Sequence, residues 1–138
     1  STEESTVSSL EAADDDLAFI LDDNLNLYHA SKAYYEERNY EEAIVRFQAT
    51  IEYEQAHKKS LAASSDFSER HPQSEVDSVI AKSIYWMGEA YVKIKQIDKA
   101  IEAFEQLARR FRKHYLALAA QRRAAVLKAN YLKEKESV

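Results

Sequence analysis

The sequence predicts an all-α fold: an antiparallel helix-pair solenoid of two repeats with capping helices at its N- and C-terminal ends. Three observations lead there. The 138 residues include one Gly and one Pro, too few turn formers for a strand-rich fold, whereas helix formers such as Ala, Leu, Glu and Lys are plentiful. Two stretches 57 residues apart share one pattern, LYHASKAYYEERNYEEAIVRFQ from Leu27 and IYWMGEAYVKIKQIDKAIEAFE from Ile84. They match at Tyr28/Tyr85, Ala33/Ala90, Tyr34/Tyr91, Ala43/Ala100, Ile44/Ile101 and Phe47/Phe104, with Gly88 where the first copy has Ser31. Finally, a hydrophobic content of 46% supplies one core, which helix pairs share by burying apolar faces on their neighbours.

The elements follow in order. Residues 1–9 are polar and expected to be disordered; residues 10–138 form one domain. Over residues 10–23, Leu10, Leu17, Ile20 and Leu21 share a helical face with Asp14, Asp15 and Asp16 mostly off it, which predicts an N-terminal cap helix. The first repeat occupies 24–53. Its helix A runs from Asn24 to Glu37 with Asp22, Asp23 or Asn24 available as caps, and a turn falls at Arg38-Asn39. Helix B starts at Tyr40 or Glu41, with Glu41 and Glu42 suited to the positive end of its dipole and Ala43, Ile44, Phe47 and Ile51 facing inward.

Residues 54–73 lengthen the spacing by about 23 over the usual repeat of about 34. They are helix-compatible except at Ser64-Ser65 and Pro72, which predicts an over-long helix B or an inserted helix rather than a long loop. Proline at 72 is placed to start the second repeat, 74–112, since it tolerates a helix start and not an interior. Helix A is expected over Glu75–Ile94 and helix B over Ile97–Arg110. A last helix over Lys113–Lys133, within 113–138, carries Leu116, Leu118, Ala119, Ala120, Ala124, Val126, Leu127 and Tyr131 and has no helix B after it.

A close crossing of two helices needs a small residue on one and a large one facing it. Ala43 and Ala100 are the small members, and Tyr34, Tyr91, Phe47 and Phe104 the large ones. Gly88 costs about 1 kcal/mol of helix propensity, so a packing reason is expected for it.

Met87-Gly88, Tyr91, Ala100 and Phe104, with Tyr34, Ala43 and Phe47 in the first copy, make the chain resemble the tetratricopeptide repeat family. Ala30-Ser31 replaces its Leu-Gly, and its closing proline is missing from both copies. The stretch from Phe67 to Phe111 is similar to a variant in bacterial envelope proteins, the Tol-Pal-associated periplasmic coordinator and the lipoprotein subunit of the outer-membrane assembly machine. It shares Pro72, Ser74, Tyr85-Trp86, Gly88-Glu89, Tyr91 and Lys99-Ala100-Ile101, with His71 where that variant has an aromatic residue.

Composition removes several function classes. With no Cys there is no disulfide, thiolate nucleophile or Cys-ligated metal. His29, His57, His71 and His114 lack metal-ligand spacing, and adjacent carboxylates at Asp14, Asp15 and Asp16 diverge by about 100° each on a helix, so no metal or other cofactor is expected. No motif sets a nucleophile beside a base, and the chain reads as a non-enzyme. The longest apolar run falls short of the roughly 18 residues of a membrane span. No signal peptide is legible, yet Ser1 in place of Met allows for a removed signal or lipid anchor. The bacterial periplasm and the cytoplasm both fit.

Charge is uneven. Residues 1–54 hold 14 Asp+Glu against 3 Lys+Arg, and residues 55–138 hold 10 against 16. Arg109, Arg110, Arg112, Lys113, Arg122, Arg123 and Lys128 concentrate the basic charge. Nucleic acid is disfavoured by the acidic half and a pI near 5.4. All of these except Lys128 are instead candidates for docking an acidic protein surface.

The resemblance implies a protein-binding scaffold whose helix A residues line a concave face: Leu25, Tyr28, Lys32, Tyr35 and Glu36, then Lys82, Tyr85, Glu89, Val92 and Lys93. Tyrosines beside fixed charges suit peptide recognition. The competing expectation is that Tyr28 and Tyr85 serve packing instead. The Lys and Asn pair that clamps a C-terminal carboxylate in some family members is absent here, where those places hold Tyr28 and Lys32, then Tyr85 and Glu89. The main reading is an adaptor for a peptide segment or partner helix, in a bacterial envelope complex. The alternative is a self-assembly module that forms salt-sensitive homo-oligomers through its acidic N-terminal and basic C-terminal halves.

Overall fold

The computed structural model describes residues 23–63 and 73–136. The N-terminal cap helix, Ser64-Ser65, His71 and Pro72 of the sequence reading lie outside them. Among the described residues five helices follow one another: α1 (Asp23–Glu36), α2 (Tyr40–Ala63), α3 (Gln73–Lys93), α4 (Ile97–Arg110) and α5 (Leu116–Glu136). Consecutive helices pack together, and α3 also lies beside both α1 and α5, so the A-type helices α1, α3 and α5 form a row. This is the tetratricopeptide-like solenoid that the repeat predicts.

The two hairpins are built alike at their turns. Arg38 (φ 66°) and Lys95 (φ 65°) are the described non-glycine residues with left-handed backbone. Around each, the last turn of helix A closes in the same way. Asn39 N–H donates to Tyr34 O at 2.9 Å and Arg38 N–H to Tyr35 O at 3.0 Å; Gln96 N–H donates to Tyr91 O at 2.9 Å and Lys95 N–H to Val92 O at 3.0 Å. These paired bonds satisfy carbonyls that a helix end leaves open and reverse the chain within three residues. A β-carbon in the left-handed region costs roughly 1–2 kcal/mol, which neither turn avoids by using glycine.

The core holds the repeated residues in the roles their spacing suggests. Ala43, Phe47, Ala100 and Phe104 are completely buried. On α4, Ala100, Ile101, Ala103, Phe104 and Leu107 make the buried stripe at helical spacing. Gly88 explains itself: a β-carbon there would stand 2.8, 2.9 and 3.1 Å from three atoms of the Phe104 ring. The first copy closes with a polar pair. Ser31 Oγ donates to Leu27 O at 2.8 Å and lies 3.1 Å from Thr50 Oγ1, where the second copy has Gly88 and Leu107. Both hydroxyls are buried yet bonded, as an apolar interior requires. Ala33 is exposed while its counterpart Ala90 is buried, because α3 has helices on both sides and α1, among the described residues, stands at the end of the row.

Helix α2 continues unbroken to Ala63, ten residues past the expected end of the first repeat. Its extra turns are held from the side by an ion pair of 2.6 Å from Lys58 to Asp77 on α3. The last helix starts at Leu116 and not Lys113. After α4 ends, His114 N–H donates to Phe111 O at 2.9 Å, and His114 Nδ1 accepts the Leu116 N–H at 3.1 Å. The imidazole thus does the work of an N-cap, a role for which His is not a preferred residue. Its other nitrogen, Nε2, lies 3.0 Å from Ser78 Oγ on α3, so this one ring ties the start of α5 to α3.

Two substitutions at the turn and the crossing should have opposite signs. Gly88→Ala gains about 1 kcal/mol of helix propensity but forces methyl into a buried ring, at up to about 3 kcal/mol; a net loss of about 2 kcal/mol is expected in urea unfolding. Lys95→Gly should gain about 1 kcal/mol in the same assay. The His114 imidazole is held below its ordinary value of 6.5 by burial first and by Lys82 second, against an opposing pull from Asp77. The unfolded chain therefore binds this proton more readily. The His114 contribution to stability is present above pH 6.5 and is lost as pH falls below it toward the folded-state value. His114→Gln should flatten that part of the stability–pH curve measured by chemical denaturation.

Candidate functional site

Where α1 and α3 lie side by side, residues one helical turn apart bring their side chains into one row. Tyr28, Lys32 and Tyr35 of α1 face Tyr85, Trp86 and Glu89 of α3. The rings form a chain of edge-to-face contacts, with centroids 5.2 Å apart for Tyr35–Trp86, 5.6 Å for Tyr85–Trp86 and 5.3 Å for Tyr85–Phe104. Such geometry sets the positive edge of one ring against the negative face of another. Lys32 Nζ sits 4.2 Å above the Trp86 ring and 3.6 Å from Glu36 Oε2, so its charge is balanced from two directions.

Helix α5 closes the other side. Arg123 Nε lies 2.8 Å from Glu89 Oε2 and Arg123 Nη2 2.9 Å from Glu89 Oε1, a two-pronged bond between a guanidinium and a carboxylate. The same guanidinium stands 6.0 Å from the Phe104 ring. The Arg123 and Glu89 side chains are 32% and 14% exposed, shielded enough for the pair to matter to the position of α5. Burial, the larger cause, and the Glu89 carboxylate raise the Tyr35 and Tyr85 phenols above 10, while Arg123 opposes them. Both hydroxyls therefore stay protonated and able to donate at neutral pH.

The ten residues assigned to a concave face are distributed unequally. Tyr35, Tyr85 and Val92 are half-buried at the edge of the core, Lys32, Lys82 and Glu89 are half-buried, and Glu36 and Lys93 are exposed. Tyr28 is 6% exposed and lies 6.3 Å from the Phe47 ring, with Lys82 Nζ 5.3 Å from its own ring. It belongs to the core and offers little surface. Leu25 lies on α1, with its side chain outside the described residues. Val92 also lines an open cleft of about 750 Å³ with Lys95, Gln96, Ile97, Asp98, Lys99, Tyr131 and Glu134.

Two members of the face were not in the sequence reading of it. Trp86 lies between the two tyrosines; the Tyr85-Trp86 dipeptide was the available signal. Arg123 was grouped with the basic residues of the C-terminal region, and the structure turns it the other way, onto Glu89. The rest of that group sits elsewhere. Arg109, Arg112, Lys113 and Arg122 are exposed, Arg110 stacks at 5.0 Å on Phe111, and Arg109 and Arg112 border a cleft between α4 and α5 with Ala108, Ala117, Leu118 and Gln121.

Repeat, turn and crossing geometry all coincide in the second hairpin. Residues 82–114 match the tetratricopeptide repeat family. The matched tetratricopeptide repeat runs from Lys82 on α3 through α4 to His114. No curated protein and no solved structure matches the chain. Tetratricopeptide repeats are in general non-enzymatic units of protein–protein interaction. Among the described residues, no three His, Cys, Asp or Glu side chains come together as a metal site, and no helix is long and apolar enough to cross a membrane.

Removing one partner of the Glu89–Arg123 bond strands the other in partly desolvated surroundings. Glu89→Gln should cost about 1–2 kcal/mol in urea unfolding. The double variant Glu89→Gln with Arg123→Gln should lose less than the sum of the single losses, as a double-mutant cycle will show.

Proposed function

We propose that this chain is a protein-interaction adaptor that holds a peptide segment or partner helix against the faces of α1 and α3, with α5 as its third wall. The observation that carries the reading is the row Tyr35, Trp86 and Tyr85, half-buried rings already locked against one another and bordered by Lys32 and by Glu89 in its bond with Arg123. Rings fixed in advance lose little conformational entropy when a ligand covers them, so they return more of their contact energy as affinity. The neighbouring charges supply orientation: Lys32 accepts an acidic group from the ligand, and the exposed Glu36 and Lys93 present opposite signs toward the C-terminal ends of α1 and α3. Tyr28 supports this surface from below. The likeness of Phe67–Phe111 to the repeats of bacterial envelope proteins favours a place in an envelope complex.

Trp86 is the one tryptophan of the chain, which makes its fluorescence a direct report on this row. Peptides selected on the intact chain from a random display library should shift Trp86 emission with a saturable titration. Tyr35→Ala and Tyr85→Ala should each weaken that binding by about tenfold or more, the range in which truncating an interface aromatic is felt. Selected peptides whose affinity ignores both substitutions would place the binding surface elsewhere.

A further inference from the structure

Helix α5 has a second face, opposite its buried one, that the aromatic row does not use. Ala117, Ala120, Ala124 and Leu127 point into the core. On the other side, Leu118, Val126 and Leu132 are 53%, 52% and 59% exposed, and exposed Ala125 and Ala129 fall between them at helical spacing. The Leu118 end of this stripe opens into a cleft of about 740 Å³ between α4 and α5, bordered by Arg109 and Arg112. Arg122 rises from the stripe itself and Lys133 flanks its far end, both exposed. The surface is thus an apolar strip with a basic margin. In a row of helix pairs it is the side of the last A-type helix against which another helix would lie.

The chain contains a segment of matching chemistry. Residues 10–22, LEAADDDLAFILD, carry Glu11, Asp14, Asp15, Asp16 and Asp22 and no Lys or Arg. Leu10, Leu17, Ile20 and Leu21 share one helical face by their spacing. In sequence the segment immediately precedes α1, and α3 lies between α1 and α5.

We propose that residues 10–22 of one chain dock on the exposed face of α5 in a second copy, the leucines and isoleucine covering Leu118 and Val126 and the aspartates meeting Arg109, Arg112 and Arg122. The contact is head-to-tail, so each copy both offers a segment and accepts one, and the assembly grows with concentration unless it closes into a ring. Its charged margin makes it sensitive to salt. This association is separate from peptide binding at the aromatic row, since the two surfaces lie on different sides of α5.

The absence of cysteine from the chain permits a direct test. Leu17→Cys and Leu118→Cys are made as separate full-length variants, mixed in equal amounts and oxidised. The expected result is a two-chain disulfide product several-fold more abundant than from either variant alone, reduced at about 500 mM salt, where the screening length is short, and reduced by Val126→Glu in the Leu118→Cys chain. Light scattering of the unmodified chain should give a mass that rises with concentration above 15.9 kDa. Circular dichroism of the Val126→Glu variant checks that this exposed position leaves the fold intact, and Trp86 titration with a selected peptide should be unchanged in it. A mass constant at that of one chain would overturn the proposal. So would a mixed yield no greater than the single ones, or a doubly substituted chain that closes its disulfide only within itself. Loss of peptide binding alone would instead count against the aromatic row.

Discussion

The approach of α4 to α3 at Gly88 is the contact on which the rest of the structure depends. With no β-carbon at Gly88, the Phe104 ring lies flush on the α3 backbone, and the space a methyl would need is already filled to 2.8 Å. That approach sets how closely the second hairpin closes. It brings the Tyr85 ring edge-to-face with the same ring, centroids 5.3 Å apart, and it leaves Ala100 and Leu107 wholly buried. The Arg123 guanidinium also stands 6.0 Å from the centre of the Phe104 ring, so the ring under the crossing neighbours the residue that bonds α5 to Glu89. A core packed to crystal-like density passes such a constraint from helix to helix, because no void absorbs a shift.

The first hairpin reaches a similar crossing by other chemistry. Ser31 and Thr50 replace Gly88 and Leu107, and their hydroxyls bond each other and the carbonyls of Leu27 and Arg46. A serine side chain is small enough for the crossing provided that its oxygen is satisfied, and here both partners come from the two helices being joined. The turns, by contrast, are the same in both copies down to the two paired bonds and the left-handed residue. Conserved turn geometry with a variable crossing keeps α1 and α3 in equivalent positions, which is what places Tyr35 and Trp86 in contact across them.

The face formed in this way joins rigidity to mixed polarity. Its aromatic rings are bound to one another at the edge of the core, its carboxylate is bonded to a guanidinium from α5, and Lys32 lies over Trp86. In the role proposed for it, rings fixed in advance would reduce the ordering cost of association. The opposite side of α5 differs in kind: its apolar side chains stand in solvent between basic residues, as expected of a surface that another helix covers. The uneven charge of the chain gives the two ends of the row different chemistry.

Much of the architecture was legible because it rests on local rules. Helical periodicity, a repeat offset of 57 residues and a single glycine in an otherwise uninterrupted helix pattern identified the helix pairs, and α4 falls at the expected Ile97–Arg110. For residues 54–73 the helix-compatible pattern left an over-long helix B or an inserted helix open, and α2 continues to Ala63. The face itself was read only in outline. Tyr28 and Tyr85 occupy equivalent positions, yet one is in the core and the other half-exposed: Tyr28 lies near Phe47 with Lys82 of α3 reaching over its ring, a contact between helices that the repeat itself does not encode. Arg123 and Arg122 are adjacent in sequence and differ by about 100° around the helix; only the seating of α5 against α3 decides which of them meets Glu89. The start of α5 was displaced by three residues because His114 caps it, and that role needs Ser78 from a helix 36 residues away. The sequence alone therefore determined which segments are helices and how they repeat, since hydrogen bonding and apolar spacing within a helix are local. Tertiary structure decided which side chains reach one another across helices, because the rotation of each helix about its axis is set by packing against its neighbours.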